Sequence, residues 1–244
     1  MELKLVKKDF ADNFLNIISK AVDVVSVKAS KEGLYVVCNK PDTSIVLLGK
    51  YNHAFPLEQE LSLNLGDIKK LLRVIDCIKE DEMVLEINSN HLLHRSPGLQ
   101  FKYHFLDDSI VPKVTLKKEK IEALELDTFF DIDSRKLQEI LKASSFTTET
   151  NKIYLYGKPD GVYCELGDKE VSNTDNISLK VADKIEGQPL TQTLPFYLDI
   201  FRVLAGVKFE KARVGINLKH KVMSFYVKPT EDTEFKFIIS GLVK

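Results

Sequence analysis

Residues 65–76 read LGDIKKLLRVID, and residues 194–205 read LPFYLDIFRVLA. With Arg73 set on Arg202, the two stretches keep their apolar and basic positions in step at an offset of 129 residues. Upstream, Lys31-Glu-Gly-Leu-Tyr-Val-Val matches Pro159-Asp-Gly-Val-Tyr-Cys-Glu at an offset of 128. Downstream, Met83-Val-Leu-Glu-Ile matches Arg213-Val-Gly-Ile-Asn at 130. Three matches in one order and at nearly one spacing mark an internal duplication. A chain of 244 residues is long enough for each copy to hold a core of its own.

Each copy repeats one order of elements. The first opens with a strand over 2–6 and a helix over 9–22, whose Phe10, Phe14, Ile17, Ile18 and Ala21 form an apolar stripe at helical spacing. Strands are predicted at 24–28, 34–38, 45–48 and 60–63. Asn64 is expected to cap a second helix over 65–76, with Leu65, Ile68, Leu72 and Ile75 on one face. Strands follow at 83–88, 91–95 and 100–106; in the last, Phe101, Tyr103 and Phe105 alternate with polar residues. The second copy reads as a strand over 124–130, then a helix over 134–145 capped by Asp133, with Leu137, Ile140, Leu141 and Ser144 inward. Strands at 153–156, 162–166, 177–182 and 190–193 precede a helix opened by Pro195 and ending near Ala205. Strands at 213–218, 222–227 and 234–239 complete it. Between the copies, Asp107–Lys120, with Pro112, reads as an extended, exposed connector. The expected organisation is therefore an N-terminal domain over 1–109, a connector over 110–123 and a C-terminal domain over 124–244. The fold class is α+β: antiparallel sheets with two helices per copy gathered on one side.

The formal charge is only −1, from 35 basic and 36 acidic residues, which argues against indiscriminate adhesion to nucleic acid. The charge is nevertheless segregated. The helix-bearing segments 7–20, 64–79, 133–146 and 194–208 carry Lys7, Lys8, Lys20, Lys69, Lys70, Arg73, Lys79, Arg135, Lys136, Lys142, Arg202 and Lys208. Against these twelve stand seven acids, so the rest of the chain holds the negative surplus. One helix with lysines on its solvated face is ordinary; four of them, in two copies of a net-negative chain, are a pattern. Such a surface holds a phosphate backbone without reading bases, and so permits sliding.

Hydrophobic content of 44% and charged content of 29% are those of a soluble globular protein. The N-terminus, Met-Glu-Leu-Lys-Leu-Val-Lys-Lys, lacks the apolar run of a signal peptide, and no stretch approaches the ~20 apolar residues of a membrane span. Cys38, Cys77 and Cys164 form no CxxC and are expected to be buried thiols, which points to a cytoplasmic protein.

At residues 61–76, LSLNLGDIKKLLRVID, and in the twice-given order of strand, helix, strands, helix, strands, the chain resembles the DNA polymerase sliding clamps. The group is the one shared by eukaryotic and archaeal clamps and those of T4-like bacteriophages. Lys40-Pro41-Asp42 stands where the family's first domain usually has an Asp-Pro-Ser turn, a departure that favours a divergent phage or viral clamp. The resemblance implies a closed homotrimer, with helices lining a channel around double-stranded DNA and sheets forming the outer wall. It also implies a DNA polymerase and a clamp loader as partners, host cytoplasm for a viral clamp or a nucleus for a eukaryotic one, and no membrane. By the same resemblance the strand with Phe101, Tyr103 and Phe105 pairs with the strand carrying Ile177, Leu179 and Val181 in the next subunit. Partners would insert a short hydrophobic peptide beneath the connector, at positions matching Ile45, Leu47, Ile110, Val111, Phe225 and Leu242.

Catalytic patterns are missing. His91 and His94 form an HxxH, but a three-residue step along a strand sends the two side chains to opposite faces, which suits a shared metal badly. GxSxG, P-loop and GxGxxG patterns are lacking. Gly157–Gly161 reads as a hairpin turn, and the acids at Glu80-Asp-Glu and Asp131-Ile-Asp sit at element ends. No catalytic residue, metal ligand or cofactor is assigned. The competing readings are a checkpoint or transcription scaffold on the same ring, and an enzyme with an unrecognised site.

Overall fold

The computed structural model describes residues 2–40, 44–114, 116–147, 150–167 and 175–242; Pro41 and Asp42 lie outside them. The chain forms two compact units, Met1–Glu122 with Pro229–Phe235, and Ala123–Lys228 with Lys236–Lys244. Among the described residues no helix is long and apolar enough to cross a membrane.

In the first unit the elements run β1 (Glu2–Val6), α1 (Lys8–Leu15 continuing as Asn16–Ser19), β2 (Val24–Ser30), β3 (Gly33–Asn39), β4 (Ile45–Asn52), β5 (Leu61–Gly66), α2 (Ile68–Asp76), β6 (Glu82–Ile87), β7 (His91–Ser96), β8 (Leu99–His104) and the short α3 (Lys118–Glu122). They build an antiparallel sheet, β1-β6-β7-β8, and the antiparallel run β4-β3-β2-β5 that ends a longer sheet. The strands alternate buried and exposed residues because each sheet has one face on the core: Leu3 and Leu5 of β1, Val25, Val27 and Ala29 of β2.

Helix α1 opens in π geometry: the Asn16 amide donates to the carbonyl five residues back, at Ala11. This wider winding sets the solvent side at every fourth residue, Lys8, Asp12, Asn16 and Lys20, and buries almost everything between. Phe14 sits at the centre, with the rings of Phe10, Tyr51 and Phe235 at 6.3, 6.2 and 6.0 Å. Burying one such ring stabilises by about 2–3 kcal/mol.

The second helix does not begin at Asn64. Strand β5 carries Leu65 into the core and continues to Gly66. Asp67 then turns left-handed (φ 52°) and its carboxylate accepts from the Lys70 amide at 3.0 Å, which makes Asp67 the cap. Helix α2 consequently buries Ile68, Leu71 and Ile75, with Leu72 half-exposed. α1 packs against α2.

The second unit runs β9 (Thr128–Asp133), α4 (Ser134–Ser144), β10 (Lys152–Lys158), β11 (Gly161–Leu166), β12 (Ile177–Ala182), β13 (Glu186–Gly187), β14 (Leu194–Tyr197), α5 (Asp199–Ala205), β15 (Lys211–Asn217), β16 (Val222–Val227) and β17 (Thr233–Ser240). Asp133 caps α4 as expected, accepting from the Lys136 amide at 2.7 Å. Three expectations fail. The first strand lies at 128–133 instead of 124–130. Pro195 stands in a strand, not in a helix, and 190–193 forms no strand. Pro195 is tolerated because β14 is the last strand of its sheet, laddered to β10 alone; on its other side the Pro195 carbonyl accepts from the Leu242 amide, and the missing N–H costs the ladder nothing. α4 packs against α5.

The duplication is complete at the level of topology. The order β1-β6-β7-β8 is repeated as β9-β15-β16-β17, and β4-β3-β2-β5 as β12-β11-β10-β14. It reaches single dihedral angles: Gly33 and Gly161 open equivalent strands at φ 142° and 144°. At each, a Cβ would strike a carbonyl of the neighbouring strand, that of Tyr51 or of Ala182. Only glycine satisfies both demands.

Cys38 and Cys164 are buried, and burial pushes both thiols up to about 12. Cys77 is not buried: it is the residue that ends α2, and it faces solvent.

Candidate DNA-facing helices and partner groove

Helix α2 turns Ile68, Leu71 and Ile75 to the core, so Lys69, Lys70 and Arg73 come round to the solvent side. Lys69 is paired with Asp23 at 3.2 Å in an exposed bridge. Lys70 and Arg73 have no acidic partner among the described residues, nor do Lys79, which follows the helix, or Lys8 and Lys20 on α1. Lys7 is different: its ammonium donates to the Ile78 carbonyl and ties the start of α1 to the end of α2.

In the second unit α4 presents Arg135, Gln138, Glu139 and Lys142 to solvent. Lys136 lies to one side, paired with Glu139 at 2.5 Å, while Arg135 and Lys142 are free of acids among the described residues. On α5 the Arg202 guanidinium donates to Asn151 Oδ1 at 2.7 Å and Asp199 Oδ1 at 3.1 Å. Asn151 in turn donates to Asp199 Oδ2 at 2.8 Å, closing a triad. Lys208 is exposed beyond the helix end. The twelve basic residues thus differ in availability. Lys70 and Arg73 on α2, the second helix of its copy, and Arg135 and Lys142 on α4, the first helix of the other, are free cations among the described residues, whereas Lys7, Lys69, Lys136 and Arg202 are engaged.

Among the described residues β8 and β12 are each bonded on one side only, which leaves a row of backbone groups on the other. Phe101 and Tyr103 of β8 point into the core, and Phe105, past the end of the strand, is half-exposed. Burial pushes the Tyr103 hydroxyl up to about 12, and that hydroxyl donates to the Gly66 carbonyl. On β12, Val181 is buried while Ile177 and Leu179 are half-exposed. Sequence reading missed one exposed apolar residue: Phe146, just past the end of α4, is 58% exposed, and α4 itself packs on β12. The signal was present, since position 146 prolongs the outward file of Arg135 and Lys142 by one turn.

A groove of about 1160 Å³ lies between the solvent face of β2 and β3 and the connector. Tyr35 and Val37 form its floor and Val111, Pro112 and Leu116 its far wall. Burial, and then the bond its hydroxyl donates to Glu60 at 2.7 Å, push Tyr35 up to about 12. The Lys118 ammonium sits 4.7 Å over the Tyr35 ring. Of the six residues expected at a peptide pocket, Val111 lines this groove. Ile45 and Leu47 are on the opposite, core side of β4, at 1% and 0% exposure, and expose almost no side-chain surface. Phe225 is buried in the second unit, edge-on to Phe201 at 5.5 Å. Ile110 is exposed, and Leu242 is half-exposed with its amide bonded to the Pro195 carbonyl.

His91 and His94 do lie on opposite faces of β7. His91 meets His104 across the hairpin, and His94 is buried against Phe101 with its ring bonded to the Val84 carbonyl. Asp131 is paired with Arg213 at 3.2 Å, and Asp133 is committed to capping. The described residues contain no cluster of three metal-ligating side chains.

No profile of a known protein family matches the chain. Among curated proteins it is 25% identical over 243 residues to a probable DNA polymerase sliding clamp 2 of Paramecium bursaria Chlorella virus 1, covering 93% of this chain and 85% of that protein. Its fold is that of proliferating cellular nuclear antigen from Entamoeba histolytica, with a TM-score of 0.77 at 14% identity over 99% of this chain and 98% of the other. The A. fulgidus PCNA solved with the C-terminal region of FEN-1 gives 0.76 at 10% identity, over 100% and 98%.

Proposed function

We infer that this chain is a DNA polymerase sliding clamp, a divergent one of the viral kind, which encircles duplex DNA and tethers a polymerase to it. The observation that carries the reading is that each unit has a helix with unpaired cations on its solvent side. Lys70 and Arg73 on α2, and Arg135 and Lys142 on α4, offer charge to phosphates on the helix side of each unit. Exposed cations on long side chains without fixed partners suit a phosphate backbone, and in this reading the contact is independent of sequence.

Three copies close the ring in this reading. The open edge of β8 in one copy takes the open edge of β12 in the next. The joint satisfies both rows of backbone groups and covers Phe146, Ile177 and Leu179, apolar surface that a single copy leaves in water. The groove under the connector receives an extended apolar segment of the polymerase, of the loader or of other replication proteins. Its lining joins an aliphatic strip with Tyr35 to an equal share of polar and charged side chains, so an extended segment can lay apolar side chains on the strip and bond its backbone along the rim. The protein acts by holding, and the reading gives no side chain a catalytic role.

The test is topological. Loaded by its clamp loader onto a closed circular duplex and then washed with salt, the protein should stay on the circle and be lost when one cut linearises it. Equal loss from closed and cut circles contradicts encirclement.

A further inference from the structure

Three hydrogen bonds converge on Asn64, a residue only 7% exposed near the end of β5. Its side-chain amide donates to the Leu106 carbonyl at 3.3 Å and to Asp108 Oδ1 at 2.5 Å. Its own carbonyl accepts from the Leu106 amide at 2.9 Å. Around this point the packing is close. The Leu106 side chain fills the space over Gly66, where an added Cβ would come within 2.6 Å of it, and Tyr103 bonds the Gly66 carbonyl. Every one of these contacts fastens the residues leading from β8 into the connector onto the last turn of chain before Asp67 caps α2. Asn64 and Asp108 both line the groove.

We propose that Asn64 is a positioning residue: latched to Leu106 and Asp108, it sets the height at which the connector leaves the sheet, and with it the width of the groove, at the corner where α2 begins. The use of that groove as a partner site rests on the clamp reading above; the latch itself does not. The chemistry requires a primary amide. Its two N–H donors serve a neutral carbonyl and a charged carboxylate at once, which neither a hydroxyl nor a carboxylate does. An aliphatic side chain would leave a buried carbonyl unmatched, and a carboxylate would face Asp108 with like charge. Because the same corner carries Asp67, whose carboxylate holds the Lys70 amide, slack in the latch reaches the first turn of α2 as well as the connector.

The experiment uses the full-length protein without DNA or partner, so its failure and the failure of the clamp reading are separate events. Native trypsin digestion is followed by mass spectrometry at Lys113, exposed in the connector, and at Lys219, exposed in the hairpin between β15 and β16 as an internal control. Asn64→Asp should raise cleavage after Lys113 about tenfold, the effect of losing one hydrogen bond to a charged group, and leave Lys219 unchanged. It should also speed deuterium exchange at the Lys70 amide. The swap Asn64→Asp with Asp108→Asn gives the new carboxylate a donor in place of a like charge but leaves the Leu106 carbonyl unmatched, so cleavage should return part of the way to that of the parent protein. Should Asn64→Asp fail to fold, Asp108→Ala opens the same latch from its exposed side and should act in the same direction. Unchanged cleavage after Lys113, an equal rise at Lys219, or no recovery in the swap overturns the proposal.

Discussion

Replacing Lys70 and Arg73 together by glutamine removes two free positive charges from the solvent side of α2 and touches little else. Both side chains are exposed and neither has an acidic partner among the described residues, so the cost to folding should stay within about 0.5 kcal/mol. The cost to DNA binding is larger and can be worked out. Each phosphate contact contributes about 0.9 to the slope of log affinity against log salt, so two contacts contribute roughly 1.8 for each protomer that touches the duplex. Near 0.15 M salt that slope corresponds to roughly thirtyfold in affinity. Arg202→Gln supplies the contrast. Its guanidinium is already shared between Asn151 and Asp199, so it should shift the salt slope by less than half as much per residue. It should instead destabilise the fold by up to about 1 kcal/mol, because the guanidinium is half-exposed and Asp199 keeps the bond from Asn151. Fluorescence anisotropy of a labelled duplex, titrated across a range of salt, reads the slopes, and thermal unfolding reads the stabilities. If the Lys70/Arg73 double variant keeps the parental slope, the helix face is not the DNA surface.

Gly33→Ala and Gly161→Ala should each cost about 1–3 kcal/mol, because each forces a side chain into a left-handed region and against a carbonyl, while Gly98→Ala, with nothing within 4 Å, should cost less. Thermal midpoints for the three variants check the ranking. A thiol reagent applied to the native protein should label Cys77 and spare Cys38 and Cys164, which intact-mass analysis would score as one adduct per chain. Beyond its backbone pairing with β9, the short strand β13 is tied to β15 by Glu186, whose carboxyl the Arg213 guanidinium keeps below the usual glutamate range. A depressed carboxyl pKa contributes stability that is present above the ordinary value and lost as pH falls through the lowered one. The Gln188 amide, bonded to the Asp127 carbonyl beside β13, should therefore lose protection from exchange only in acid below the ordinary glutamate range.

Much of this architecture is legible in the chain because duplication writes it twice. The match of 65–76 with 194–205 fixes the frame, and Gly33 with Gly161 marks equivalent strand starts that the structure gives almost the same angle. What escapes reading is where two local signals compete. Asn64 and Asp67 both stand before the helix at capping distance, and alternation of Leu63 and Leu65 as strand residues decides for Asp67. At Pro195 the helix-opening preference yields to a strand on a sheet edge, a fact about neighbours that spacing does not carry. The basic helix faces are predicted as a group, but only coordinates separate Arg73, which is free, from Arg202, which is tied. The residues expected at a peptide pocket and the lining of the groove differ because a strand offers two faces. Ile45 and Leu47 lie on the inner face of β4, and the outward Tyr35 and Val37 of β3 form the floor.

The account stands on copies of this chain joining edge to edge, β8 of one on β12 of the next, around a space that fits a duplex. The most direct test is the mass of the particle in solution, by sedimentation or light scattering. A species of three chains that persists on dilution is predicted, together with its loss when Phe146 is replaced by aspartate. A protein that remains a single chain at high concentration, with Phe146 intact, contradicts the account.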